Sequence, residues 1–126
     1  MRVLIYGGRD FVDTESHWEW LDYTLARYCE WHGETLTVVS GRARGADQFG
    51  ERWAISCSFP VATYPADWEK HGKAAGHIRN QQMLDSGIDL AIEFPGGRGT
   101  ADMRRRLDKA GVKVIEYKEK NESTHT

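Results

Sequence analysis

Five short apolar runs recur along the chain: Arg2 to Tyr6 (RVLIY), Leu36 to Ser40 (LTVVS), Pro60 to Tyr64 (PVATY), Ile88 to Phe94 (IDLAIEF) and Val112 to Tyr117 (VKVIEY). Their β-branched and aromatic residues predict strands. Longer segments with helical spacing lie between them. From Thr14 to His32, the residues Trp18, Leu21, Leu25, Tyr28 and Cys29 form one stripe that should face a sheet, with Asp13 or Thr14 capping the start. Trp20 and Trp31 lie about three turns apart on another side of that helix, a placement that suits either a second subunit in a homodimer or completion of the monomer core. Further helices are predicted from Ala46 to Cys57, from Lys73 to Ser86 and from Thr100 to Gly111, with Thr100 capping the last and Gly111 closing it. Strands alternating with helices imply parallel strands, right-handed crossovers and helices on both faces. The expected fold is a single doubly wound α/β domain over residues 1–117, followed by a polar tail, 118–126, with no apolar periodicity.

Three turns follow the first, second and fourth of these strands, and each combines glycine with arginine: GGRDF at Gly7 to Phe11, GRARGAD at Gly41 to Asp47, and PGGRGT at Pro95 to Thr100. Glycine accounts for a turn but not for a repeated arginine. Glycine also lets backbone N–H groups approach an anion, a helix start adds positive dipole, and arginine can grip two phosphate oxygens. In a Rossmann-like strand order 3-2-1-4-5, the sheet reverses between the first and fourth strands, and the three turns converge at their carboxyl ends. The candidate ligand-binding residues are then Gly7, Gly8, Arg9 and Asp10; Gly41, Arg42, Arg44, Gly45 and Asp47; and Gly96, Gly97, Arg98, Gly99 and Thr100. The amides of Gly97 to Thr100 should face a phosphate. Gly45 should allow close backbone approach, and Asp47 either accepts ribose hydroxyls or caps its helix. Arg9 and Asp10 either touch the ligand or brace the loop as an ion pair.

The connection PADWEKHGKAAGHIRNQQM, from Pro65 to Met83, is rich in groups suited to a nucleotide. Trp68 could stack on a base or pack under its loop, and Lys73, Arg79 and Asn80 could reach phosphate or ribose. His71 and His77 lack the spacing of a helical metal pair, so no metal is expected, and no cofactor. The run Arg104 to Arg106 reads as a solvated helix face, with a partner-binding patch as the alternative.

Composition narrows the setting. The chain has 126 residues, a formal charge of −2 and a pI near 6.2, which disfavour a general nucleic-acid coat and require any cationic site to be focal. Cys29 and Cys57 are too few for a disulfide framework and read as buried thiols in a reducing compartment. No stretch approaches ~20 apolar residues, and the amino terminus runs directly into a strand, so a cytoplasmic protein without a membrane partner is expected.

Taken together, G-G-R-D-F, S-G-R-A-R-G-A-D, P-A-D-W, G-K-A-A-G-H-I-R-N-Q-Q-M and P-G-G-R-G-T-A-D-M resemble the SLOG superfamily, and specifically its YspA-like branch, found in bacteria and phages. The resemblance implies a Rossmann-like cleft for nucleotides or nucleotide-derived molecules. It extends to the LOG phosphoribohydrolases, whose signature resembles M-x-x-R-K-x-x-M followed by P-G-G-x-G-T-x-x-E. Arg79 and Met83 match, whereas Gly76 and Asn80 replace the first methionine and the lysine, and Met103 stands where the catalytic glutamate is expected. Asp102 precedes it by one residue, about 100° around a helix. Arg79 and Asp102 are therefore the residues that would carry any turnover. The leading expectation is binding of a nucleotide or ADP-ribose-like molecule, as sensor or sequestering protein. A LOG-like N-glycosidase is the enzymatic alternative, and single-stranded DNA binding, as in DprA, is the least favoured.

Overall fold

A computed structural model describes residues 1–32 and 35–118, with side chains left undescribed at 28–32. Five strands, β1 (Arg2–Tyr6), β2 (Thr37–Ser40), β3 (Val61–Thr63), β4 (Leu90–Glu93) and β5 (Lys113–Glu116), form an all-parallel sheet in the order β3-β2-β1-β4-β5. The expected Rossmann-like order is thus the observed one. The helices are α1 (Glu15–His32), α2 (Ala46–Ser56), α3 (Trp68–His71), α4 (Ala75–Asp85) and α5 (Arg98–Ala110).

Alternation along the strands divides the core between the two faces of the sheet. Val3, Ile5, Val38, Leu90 and Ile92 point to one side, where Leu21 and Leu25 of α1 and Ala46, Phe49, Trp53 and Ala54 of α2 cover them. Leu4, Tyr6, Val39 and Ala91 point to the other, against Met83 of α4 and Met103 and Leu107 of α5. Each leucine or isoleucine fully removed from water contributes about 1.5–3 kcal/mol.

Several local expectations change. The predicted helix from Lys73 to Ser86 is preceded by the separate helix α3 and opens with a 3-10 turn over Gly72–Ala74. Asp67 caps α3 by accepting from the Lys70 N–H at 3.0 Å, and Gly72, at φ +54°, ends it in a conformation that favours glycine. α5 starts at Arg98 rather than at Thr100, and no side chain caps it; Gly111 closes it at φ +76° as expected. Trp20 packs on Phe94 and Tyr117 with ring centroids 5.7 and 5.1 Å away, so its ring completes the monomer core; Trp31 lies outside the described side chains. Cys57 is the half-buried C-cap of α2, with burial pushing its thiol pKa up, and the Cys29 side chain lies outside the described set. Among the described residues, no helix is long and apolar enough to cross a membrane.

Candidate functional site

The three glycine-arginine turns meet at the carboxyl edge of β1, β2 and β4, and Gly8 joins them. Its N–H donates to the Pro95 carbonyl at 2.9 Å, and its carbonyl accepts from the Ala46 N–H at 3.1 Å. A Cβ on Gly8 would fall 2.9 Å from the Gly96 Cα, and one on Gly45, at φ +78°, would fall 2.2 Å from the Gly8 oxygen. The close approach expected at Gly45 is therefore made by the chain's own backbone, and the Gly8 carbonyl occupies the start of α2. Phe11, last residue of GGRDF, anchors the first turn with its ring 4.9 Å from Phe94 and 5.7 Å from Phe49.

The start of α5 is different. Its backbone bonding begins with the Ala101 N–H donating to the Gly97 carbonyl at 3.0 Å. No side chain caps it, so the N–H groups of Arg98, Gly99 and Thr100 point out of the helix start. A Cβ built on Gly97 or Gly99 meets nothing within 4 Å, whereas one on Gly96 would strike the Thr100 Oγ1 at 2.0 Å and the Gly8 nitrogen at 2.6 Å. Packing within the chain explains Gly96. It leaves Gly97 and Gly99 facing open space in a cleft of about 360 Å³.

That cleft is walled by the first turn (Gly7 to Asp10), by Asp47, by the α5 start and by one face of α4, where Gly76, Arg79, Asn80 and Met83 recur at helical spacing. Trp68 and Lys73 also line it. Arg79 is half-buried: its guanidinium donates to the Gly41 carbonyl and, through Nε, to the Asn80 Oδ1 at 3.0 Å. Burial lowers its pKa against the opposing pull of Asp47. Asp47 is 5% exposed and accepts from the Ala43 N–H at 3.3 Å. Burial raises its carboxyl pKa from 3.8 to about 6, with the Arg79 charge and backbone hydrogen bonds working in the opposite direction. Arg9 lies over the Trp68 ring at 5.4 Å, and that indole is half exposed rather than packed beneath its loop.

Beyond Arg9, Ala43, Trp68 and Arg79 lies a second cavity of about 210 Å³, reached by Gly41, Arg42 and Arg44. Arg42 adopts φ +63°, which costs a residue with a Cβ roughly 1–2 kcal/mol. Its N–H donates to the Ser40 Oγ at 3.1 Å and its guanidinium pairs with the buried Glu51 at 2.6 Å, holding the turn in shape.

Asp102 does not line the main cleft. Its carboxylate lies between α4 and α5, accepting from the Asn80 Nδ2 at 3.0 Å and the Arg106 Nε at 2.9 Å, with the His77 Nδ1 at 3.0 Å. Burial opposes its ionisation, but these partners outweigh burial and hold its pKa well below the usual carboxylate range. Asn80 is likewise a buried strut that ties Arg79, Asp102 and the Gly99 carbonyl together. Met103 contacts the cleft from the core beneath it. The expectation of a merely solvated arginine run also gives way: Arg104 pairs with Glu93, Asp108 and Glu116, while Arg105 and Arg106 pair with Asp102. Sequence reasoning assigned no ligand-facing role to His77 or Tyr6, which also line the cleft. The position of His77 on the helical turn that also carries Gly76, Arg79 and Asn80 was the available signal for the first. Tyr6 is kept neutral by burial and by donating to Glu93 at 2.7 Å.

The Gene 61 protein of Mycobacterium phage D29 is 42% identical over 126 residues, an alignment spanning 94% of this chain and 98% of the phage protein. No solved structure matches. The model of the YspA, cpYpsA-related SLOG family matches residues 1–71, from β1 through α3, and so includes the first two glycine-arginine turns. With more than half its length matched by that model, the chain belongs to the YspA, cpYpsA-related SLOG family.

Proposed function

We propose that the cleft binds a nucleotide or nucleotide-derived molecule of the ADP-ribose kind, and that the protein acts as a sensor or sequestering protein for it. One observation carries the reading: an uncapped helix start and two glycines with open space before them face a cleft that gathers Arg9, Lys73, Arg79 and Arg98 against only Asp10 and Asp47. A phosphate fits the amides of Arg98 to Thr100, which supply hydrogen bonds and helix dipole together. Lys73, Arg79 and Arg98 add charge, Asp47 offers an acceptor for ribose hydroxyls, and the half-exposed Trp68 offers a surface for a base. Family membership supports the same ligand class.

Binding without turnover is favoured over N-glycoside hydrolysis by two side chains. Met103 has no proton to exchange, and Asp102 spends its carboxylate on Asn80, Arg106 and His77. Calorimetry with nucleoside mono- and diphosphates and ADP-ribose tests the reading. Wild-type protein should bind at least one of them, and Gly99→Asp, which sets a negative charge before the amides, should lose at least about tenfold in affinity, or ~1.4 kcal/mol. Equal binding by both proteins would refute the assigned phosphate position.

A further inference from the structure

The cavity beyond the Arg9–Trp68 pair carries an uncompensated charge that one phosphate in the main cleft does not use. Its walls bring together Arg9, Arg42, Arg44 and Arg79 beside Pro65 and Ala66, with no carboxylate among the residues that line it. Glu51 pairs with Arg42 at 2.6 Å and Asp47 opposes Arg79 from the main cleft, so the charge left over is that of Arg9 and Arg44. Among the described residues, neither Arg9 nor Arg44 forms an ion pair with a carboxylate. The turn bearing Arg42 and Arg44 is built in advance: Arg42 takes a left-handed conformation fixed by Ser40 and the buried Glu51. Concentrated like charge in a concave, prebuilt site is a receptor for an anion.

We infer that this smaller cavity is a second anion subsite, so that the protein's ligand carries two phosphate-bearing positions, one at the α5 start and one among these arginines. Arg9 and Arg79 line both cavities and form the bridge between them. The nucleotide part of this inference rests on the function proposed above; the subsite itself does not. Two ligand designs share the required chemistry: a nucleoside bisphosphate with phosphates on opposite sides of its ribose, and a nucleotide whose diphosphate bridges to a second sugar.

Amide-resolved NMR titration with inorganic pyrophosphate at low ionic strength tests the subsite alone. Shifts at Arg44 and Ala66 that disappear in Arg44→Gln are expected; shifts confined to Gly97–Thr100, or shifts at Ala66 that survive in Arg44→Gln, would overturn it. Calorimetry with AMP, adenosine 3′,5′-bisphosphate and ADP-ribose then tests ligand class. At least one two-phosphate ligand should bind tenfold or more tightly than AMP, the better of the two identifying the design, and Arg44→Gln should reduce that preference to about twofold. No preference over AMP in the wild type would overturn the two-phosphate ligand. If pyrophosphate shifts Arg44 while no adenine ligand binds at all, the subsite stands and the nucleotide reading fails.

Discussion

Asp47 and Arg79 both border Gly41: a Cβ on that glycine would lie 2.9 Å from the Asp47 Oδ2 and 2.7 Å from the Arg79 Nη1. Gly41 is the small residue that lets a buried carboxylate and a half-buried guanidinium share one wall of the cleft.

That arrangement has a pH signature. The Asp47 carboxyl is raised by burial from 3.8 to about 6, so the folded protein holds its proton more tightly than the unfolded chain. Stability should therefore be greatest, for this group, below about pH 4 and decline as pH rises to about 6, by up to about 3 kcal/mol at ~1.36 kcal/mol per unit. Asp47→Asn removes the titration. Urea unfolding of both proteins between pH 4 and pH 7 should show the variant gaining relative to wild type across that window; a constant difference would contradict the buried-carboxyl assignment.

Neighbouring glycines should respond in opposite ways. Gly99→Ala has open space for its methyl group and should stabilise the ligand-free protein by about 0.5 kcal/mol, through the higher helix propensity of alanine, while weakening phosphate binding. Gly96→Ala drives a methyl into the Thr100 hydroxyl and the Gly8 backbone and should destabilise by roughly 1–3 kcal/mol. Thermal unfolding of the two variants checks the sign of each effect. Destabilisation by Gly99→Ala would mean that the α5 start is packed rather than open.

Arg79→Ala should weaken ligand binding by roughly 1.5–3 kcal/mol, the range for hydrogen bonds to charged groups. It also removes the cation whose charge lowers the Asp47 pKa, so the fall in stability between pH 4 and pH 7 should become larger than in wild type. Calorimetry and urea unfolding of the same variant measure the two effects separately.

Asp102→Asn should act on stability rather than on chemistry. The substitution removes an ionised acceptor shared by Asn80, Arg106 and His77 and should destabilise by roughly 2 kcal/mol or more. Chromatography after prolonged incubation of wild-type protein with nucleoside monophosphates should show little or no released base. Robust release, abolished by Asp102→Asn, would make Asp102 catalytic.

Much of this architecture was legible because its signals are local. β1 was bounded to the residue by RVLIY, and glycine with arginine after three strands pointed to one edge once the strand order was set. What escaped the sequence depends on contacts between distant residues. Arg104 reaches Glu93 and Glu116 on adjacent strands, a pairing that no helical period encodes. Asp102 turns toward α4 because Asn80 and His77 wait there, and the Gly8 carbonyl plugs the start of α2 because β1 and β2 are neighbours. The same limit separates Gly96 from Gly97 and Gly99. In the sequence they are alike; only the folded chain distinguishes the glycine needed for packing from those that leave room.

The most direct measurement is a crystal structure of the protein soaked with a nucleoside diphosphate. A phosphate group should lie with its oxygens about 2.7–3.2 Å from the backbone nitrogens of Arg98, Gly99 or Thr100 and within reach of Arg79. A nucleotide bound with its phosphates away from the α5 start, or with its base against Gly97 and Gly99, would contradict the phosphate cradle on which the proposed function stands.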